Sequence, residues 1–327
     1  MTKDIITENF IIKAIKKVPT QRWVAVGILF VLVLVISIAN PLFLRWNNII
    51  GITQQVAAMG IIALGAMVVI ITGGIDLSSG NGLAMAGVLA GVLYLRTGEN
   101  IAVLILGAIV GGLVLGIING FLITKSNLKP FVATLATMAL AQGMTLLISE
   151  GQLAFLTHPV TYMIGGGNIL GFLSIPFAIF LVMCLITSII LNRTKFGTYI
   201  YAMGGNEEAA HYVGINITKY KWLTYIYAGF TTGVAALIAI CRVGQIAPNL
   251  QGSFLLDGIA AAIIGGTSPA GGKGTVLGTL LGVLILGVIS NALTFMNVSS
   301  TAQTAVKGAI ILLAILIDAL FNLRKSG

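Results

Sequence analysis

Gly204-Gly205-Asn206-Glu207-Glu208-Ala209-Ala210-His211-Tyr212-Val213-Gly214 stands between two long apolar segments, inside a polar interval running from Arg193 to Lys221. It is the largest charged island between apolar segments, in a chain whose body otherwise avoids charge. Asn206 has the form of a helix N-cap, and Glu207 and Glu208 would occupy the positive first turn. Gly214 followed by Ile215 reads as a glycine C-cap with its apolar contact. The stretch therefore predicts a capped helix of about two turns, Glu207 to Val213. Ala209, Ala210 and Val213 give it a small, smooth side on which another protein's groove would close. A helix this short does not persist alone, so the rest of the fold must hold it.

Around that island the chain is built for lipid. The 327 residues are 57% hydrophobic and 8% charged, with a mean hydropathy of +1.05, whereas about a quarter of a soluble domain is charged. The net charge of +9 does not form one basic face, which argues against nucleic acid as a partner. Lys and Arg gather instead between alternate apolar segments, a signal of topology. Cys184 and Cys241 lie in apolar runs without metal-ligand or disulfide spacing, and no metal site is expected.

The expected architecture is an all-α polytopic membrane protein of about ten helices with both termini cytoplasmic. Residues 1–21 form an amphipathic cytoplasmic segment resting on membrane lipid. Residues 22–323 form the membrane-spanning body, with the loop 193–221 on the cytoplasmic side, and 324–327 a cytoplasmic tail. The spans run about Arg22–Asn40, Gly51–Thr72, onward to Leu95, Ile101–Ile123, Phe131–Ser149, Phe172–Leu191, Trp222–Ile240, a shorter run Phe254–Ile264, Thr275–Phe295 and Gln303–Phe321. This count puts fourteen Lys and Arg inside and three outside, namely Arg45, Arg96 and Arg242, with Lys307 in a span. The interval Glu150–Gly171 has no Lys or Arg, reads as loose at Gly165-Gly166-Gly167, and belongs outside. Four-residue glycine steps, Gly107 with Gly111 and Gly112 with Gly116 and Gly120, predict close helix packing.

Two glycine-rich interruptions frame the body. Gly73-Gly74-Ile75-Asp76-Leu77-Ser78-Ser79-Gly80-Asn81-Gly82 is either a break at membrane depth, buried or lining a cavity, or a tight cytoplasmic turn. Gly73, Gly74, Gly80 and Gly82 recur at constant offset as Gly265, Gly266, Gly272 and Gly274. Halves related across an odd number of spans would form an inverted repeat, with passage where they meet.

Several chemistries are disfavoured. Lys273 lies in a glycine run, but a phosphate loop needs Gly where Thr267 stands and Ser or Thr where Gly274 stands. Any ATP is therefore used by a partner, and this chain is expected to bind no cofactor. An intramembrane enzyme would need convergent acids, bases or metal ligands, and the two histidines, His158 and His211, fall on opposite sides of the membrane in this topology. The remaining alternative is an ion-coupled secondary transporter of a small polar solute, resting on Asp76, Asp257, Lys307 and Asp318 in or near spans. Asp76 and Asp257 are expected at water-accessible helix ends, and Lys307 and Asp318 near enough to the last span's ends to snorkel.

The spelling Glu208-Ala209-Ala210, three residues, then Gly214 resembles the coupling loop of ATP-binding-cassette (ABC) importer permeases, and Thr194–Ile215 that of bacterial ribose-type sugar permeases. Gly73 to Ser78, Asn127-Leu128 with Pro130-Phe131, Phe196-Gly197 through Ile215, and Asp257 to Ala261 through Ser268 resemble that family's signatures, in its order. Leu255, Lys129 and Asn81 depart from the usual Glu, Pro or small residue, and Ser. The resemblance, to the ribose, xylose, arabinose, galactoside and autoinducer-2 permeases, implies a non-enzymatic subunit of the bacterial inner membrane that imports a monosaccharide. It implies a second permease chain, an ATPase with tandem nucleotide-binding domains that uses ATP and Mg, and an extracytoplasmic sugar-binding protein. Gly204, Gly205, Asn206, Glu207, Glu208, Ala209, Ala210 and Gly214 would couple to the ATPase. Gln54, Gln55, Gly73, Gly74, Asp76, Ser78, Asn81, Asn119 and Asn291 are the candidate path, and Arg242, Gln245, Asn249 and Asp257 the candidate docking surface for the binding protein.

Overall fold

The computed structural model describes residues 20–169, 171–250 and 254–323. The amphipathic segment read for 1–21, almost entire, the tail 324–327 and Gln251 lie outside the described residues, as do the side chains of Leu255 and Asp318. In chain order the helices are α1 (Thr20–Ala39), α2 (Trp46–Ile71), α3 (Ser79–Arg96), α4 (Ile101–Thr124), α5 (Pro130–Ser149), α6 (Pro159–Gly166), α7 (Ile175–Arg193), α8 (Lys195–Gly205), α9 (Glu207–Tyr212), α10 (Ile217–Val243), α11 (Phe254–Ile264), α12 (Val276–Phe295) and α13 (Ser300–Leu323). Six of them, α2, α4, α5, α7, α10 and α12, are long and apolar enough to cross a membrane. The chain is thus a polytopic helical membrane protein. Helices α1, α3, α11 and α13 occupy the other positions where the sequence predicts spans.

Local chemistry sets the helix starts. Proline opens α5, α6 and α7, where a missing N–H costs nothing. The Asn100 side chain caps α4 by accepting from the Ala102 and Val103 amides, and the His158 ring caps α6 by accepting from Val160. Pro41 follows the end of α1, as a proline should.

From Val56 to Ile71 helix α2 is apolar all round and buried at every residue, so it is the centre of the body. Helices α7, α10, α11 and α12 surround it. Helix α10 packs most extensively on α4, and the glycine steps explain how. Gly112 and Gly116 of α4 meet Gly229 and Gly233 of α10 backbone to backbone, whereas Gly107 and Gly111 meet Ala90 and Ala86 of α3. One helix thus carries two small-residue stripes for two partners.

Away from α9 the structure departs from the loose loop read for Glu150–Gly171. Helix α6 packs on α10 there, and the two-residue strands β1 (Ala154–Phe155) and β4 (Gln245–Ile246) pair antiparallel, as do β2 (Asn168–Ile169) and β3 (Leu173–Ser174). Gly165 lies within α6, where a Cβ would overlap the backbone of Cys241. This glycine serves close approach rather than looseness.

Candidate functional site

The polar island folds as two helices, α8 and α9, joined at Asn206. Asn206 is extended (φ −159°, ψ 105°) and its Oδ1 accepts the Ala209 N–H at 2.9 Å, capping α9. Glu207 and Glu208 fill the first turn. Glu207 Oε2 also accepts from Lys221 Nζ at 2.6 Å, tying the start of α9 to α10. At the other end Ile215 N–H donates to Ala210 O at 3.1 Å and Gly214 N–H to His211 O at 2.9 Å. These are the two bonds of a Schellman cap. Gly214 supplies the left-handed residue (φ +84°), a conformation that strains any side chain.

One reading is corrected. Ala210 does not share an exposed smooth side with Ala209 and Val213. It is 4% exposed, clustered with Met203 and Ile215, because the cap turns Ile215 back onto it. The outward face is Glu208, Ala209, His211, Tyr212 and Val213, and Ala210 is the anchor. The sequence reading missed α8, whose signal was the apolar spacing Phe196, Ile200, Met203. It also started the following span late, at Trp222; Asn216 caps α10 by accepting from Lys219 N–H at 2.9 Å, so the helix begins at Ile217.

Beneath α8 and α9 the two glycine interruptions meet. Helix α2 ends with Gly73 N–H on Ile70 O and Gly74 N–H on Val69 O; α11 ends with Gly266 N–H on Ile263 O and Thr267 N–H on Ala262 O. Gly73 (φ +76°) and Gly266 (φ +88°) are the left-handed residues of two alike Schellman caps. The matching caps pair Gly73 with Gly266, one residue away from the glycine alignment read off the sequence. The breaks touch directly: Gly272 N–H donates to Ile71 O at 2.8 Å.

Gly204 seals this crossing. A Cβ on it would overlap the Ile71 carbonyl and lie 2.6 Å from Gly272 N, while a Cβ on Gly271 would lie 2.7 Å from Gly204 O and 3.2 Å from Gly73 N. Tyr201 Oη of α8 donates to Gly274 O at 2.7 Å, adding a side-chain tie to the second break. Three glycine segments far apart in sequence thus form one backbone-on-backbone joint. Close-packed contacts of this kind transmit displacement rather than absorb it.

The candidate path residues are not gathered in one place. Asp76 (6% exposed), Ser78 and Asn119 form a buried chain: Asp76 Oδ1 accepts from Ser78 N–H at 2.8 Å and Ser78 Oγ at 2.6 Å, Ser78 Oγ accepts from Asn119 Nδ2 at 2.7 Å, and Asn119 Oδ1 accepts from Thr137 Oγ1 at 2.6 Å. Asn81 Nδ2 donates to Met138 O at 3.1 Å, joining α3 to α5. Gln54 Nε2 donates to Gly166 O at 2.9 Å, and Asn291 exchanges two bonds with Asn48, of 2.8 and 3.1 Å. Gln55 is half-buried.

Arg242 and Asn249 are exposed and Gln245 half-buried in β4. They lie in the last turn of α10 (Arg242) and just past it, and that helix of 27 residues puts them about 40 Å from α9. Asp257, grouped with them from the sequence, is not on that rim. It is 6% exposed, on α11 one residue before Gly258, which abuts Ile62 of α2, and its Oδ2 accepts from Lys307 Nζ at 2.7 Å. Neither carboxylate is water-accessible as expected, and Lys307 does not snorkel; its side chain is 12% exposed and held by α11.

This is a helical membrane body with a short capped helix joined through α8 to the place where its two glycine breaks meet. The family model described as a branched-chain amino acid transport system permease component matches residues 48–315. The chain is 42% identical over 298 residues to the ribose import permease protein RbsC of Bacillus subtilis (strain 168), covering 89% of this chain and 90% of that one. It is 37% identical to RbsC of Escherichia coli (strain K12), covering 89% and 91%, and 33% identical to the D-allose transport system permease protein AlsC of the same strain, covering 92% and 93%. No solved structure matches. The chain belongs to this family of ABC transport permeases, as a multi-pass subunit of the bacterial inner membrane and not an enzyme.

Proposed function

We propose that the chain is the membrane subunit of an ATP-driven importer of ribose or a closely related monosaccharide. A partner ATPase with tandem nucleotide-binding domains docks on α9, a sugar-binding protein docks at the Arg242, Gln245 and Asn249 end, and a second permease chain completes the assembly. In this reading the six long helices and α1, α3, α11 and α13 make ten membrane passes with both termini cytoplasmic and an inverted repeat between the halves; the caps at Gly73 and Gly266 close the second and eighth passes, which run in the same direction, and are not the mark of that repeat. Gly204, Gly205, Asn206, Glu207, Glu208, Ala209, Ala210 and Gly214 form the coupling element. Gln54, Gln55, Asn81 and Asn291 remain the candidate path; Asp76, Ser78 and Asn119 brace the first break beside it.

The observation that carries the reading is Gly204 lodged at the crossing of the two breaks. A push on α9 passes through α8 into the end of α2 and the second glycine break together, which is what alternating access driven from outside the chain requires. The family description speaks of branched-chain amino acids, but the relatives quoted, similar over nine-tenths of the chain, are named for ribose and allose. Sugar is therefore the better assignment. Ion coupling loses its motive, since Asp76 is hydrogen-bonded within the protein and Asp257 is matched by Lys307.

The test is mass spectrometry of whatever co-purifies with the tagged chain extracted gently from its native membrane, alongside ATP-driven uptake of labelled ribose in competition with leucine. An ATPase is expected, and Gly214→Val, which forces a β-branched residue into the left-handed region, should reduce uptake at normal expression. A solitary chain moving sugar down an ion gradient would overturn the reading.

A further inference from the structure

The strand at the Arg242, Gln245 and Asn249 end has little to hold it. β4 pairs with β1 over two residues, Ala154 with Ile246 and Phe155 with Gln245, and Leu156 N–H adds one bond to Gly244 O at 2.9 Å. A two-stranded pairing this short is not stable by itself. Two contacts with the far end of α3 secure it. Ile246, 1% exposed, packs into the gap left by Gly91, where a Cβ would overlap its side chain. Thr157, two residues beyond β1, is held by Glu99 of the α3–α4 turn: its Oγ1 donates across both carboxylate oxygens, at 3.0 Å to Oε1 and 3.1 Å to Oε2. Tyr94 of α3, 0% exposed, fixes the same carboxylate from the buried side, donating from Oη to Oε2 at 3.1 Å. Among the described residues no Lys or Arg pairs with Glu99, so its charge strengthens the two hydroxyl bonds. Glu99 also adopts φ +64°, a left-handed conformation that glycine takes with less strain. An acidic residue kept there against its backbone preference points to a role for its carboxylate. Helix α3 is a firm post for such a tie, since it packs on α4, α5 and α10.

We propose that Glu99 is a positioning residue for docking of the binding protein: through Thr157 it holds the β1–β4 pair against α3, and so sets Gln245 and the neighbouring Arg242 and Asn249 in the arrangement the partner meets. Glu99 acts through Thr157 rather than by touching the partner. The inference rests on the importer reading, in which that end of the chain is the dock, and adds the residue that keeps the dock in place.

The experiment is ATP hydrolysis by the full chain assembled with its ATPase in lipid nanodiscs, titrated with the D-ribose-loaded sugar-binding protein of the same assembly. Thr157→Val keeps the branched shape at an exposed position and removes the hydroxyl. It should raise the half-maximal concentration of binding protein about three- to tenfold, the effect of about one net hydrogen bond, with the maximal rate and the rate without binding protein unchanged. Thr157→Ser keeps the hydroxyl and should behave as the parent. Glu99→Gly deletes the carboxylate while suiting the left-handed backbone; it should raise the half-maximal concentration at least as far, and serves if Thr157→Val does not fold. An unchanged half-maximal concentration in both variants, or a lowered maximal rate at an unchanged half-maximal concentration, makes the Glu99 tie a local structural bond and overturns the inference. The parent separates the two readings. Stimulation of the parent with no shift in the variants sinks only the role of Glu99, whereas a parent assembly that the binding protein does not stimulate and that takes up no sugar sinks the importer reading and this inference with it.

Discussion

Among the described residues each glycine interruption has one buried aspartate in or near it, and the two are accommodated differently. Asp76 lies within the first break and is held locally: its carboxylate closes a turn on the Ser78 amide and hydroxyl, and the chain continues through Asn119 of α4 to Thr137 of α5. Asp257 precedes the second break and is held at long range by Lys307, on the last described helix. Neutral hydrogen-bond donors suffice for the first carboxylate, while the second has its charge matched. The difference teaches that the first break is braced by its immediate surroundings, whereas the second depends on α13 being docked. Among the described residues helix α13 packs mainly on α11 and, more lightly, on α12, so the ion pair is a principal tie of that helix.

The comparison breaks most sharply at the ion pair. Removing one partner of a buried pair leaves an uncompensated charge, at a cost of about 3–5 kcal/mol. Lys307→Met and Asp257→Asn should therefore each sharply lower the unfolding midpoint of the solubilised chain and its level in the membrane. The double variant Asp257→Asn with Lys307→Met should recover most of the loss, because removing both charges also removes the cost of burying them. A Lys307→Met chain as stable as the parent would show that the pair is not buried in the membrane-embedded protein.

The same contrast separates what the sequence discloses from what it hides. The caps of α9 were legible because Asn206, the two glutamates and Gly214 act within a few residues of each other, and the glycine steps of α4 because packing stripes are periodic. The partner of Asp257 was not legible: Lys307 is fifty residues away, and nothing local distinguishes a snorkelling lysine from a paired one. The joint was half legible. Gly73, Gly74, Gly204 and Gly272 all stood out as glycines in special stretches, but that Gly204 sits against both Ile71 and Gly272 is a fact of tertiary contact, which no spacing encodes. Ala210 was misplaced for a related reason, since which alanine faces inward depends on where Ile215 folds back.

Of intermediate size is the effect of cutting the Asp76 chain at its middle. Asn119→Ala leaves Thr137 Oγ1 without its acceptor on Asn119 and Ser78 Oγ without its donor, at 1% exposure for each of the three residues. Both hydroxyls keep other partners, Thr137 Oγ1 the Ala133 and Thr134 carbonyls and Ser78 Oγ the Asp76 carboxylate, so the cost is that of two lost hydrogen bonds, about 1–3 kcal/mol together. The drop in midpoint should be clearly smaller than for Lys307→Met, and Thr137→Ser, which keeps the hydroxyl, should restore none of the loss when added to Asn119→Ala. As a single change Thr137→Ser should be close to neutral. A loss equal to that of the ion-pair variants would mean that the first break relies on its chain as fully as the second relies on its lysine.

The smallest effect is the most informative, because it applies one substitution to both halves. Asp76→Asn keeps an oxygen in the place of Oδ1, able to accept from the Ser78 amide and hydroxyl, and loses only the charge-assisted share of those bonds. Hydrogen bonds to charged groups contribute about 1.5–3 kcal/mol against about 1 for neutral ones, and losing the charge also removes a desolvation cost, so the net change should stay near or below about 1 kcal/mol. Asp257→Asn makes the same chemical change where the partner is an ammonium and should cost several times more. Measuring both midpoints in one lipid nanodisc preparation gives the ratio directly. Similar losses at the two positions would mean that a cation reaches Asp76 in the assembled protein, and would move the search for it to whatever chain packs against the first break.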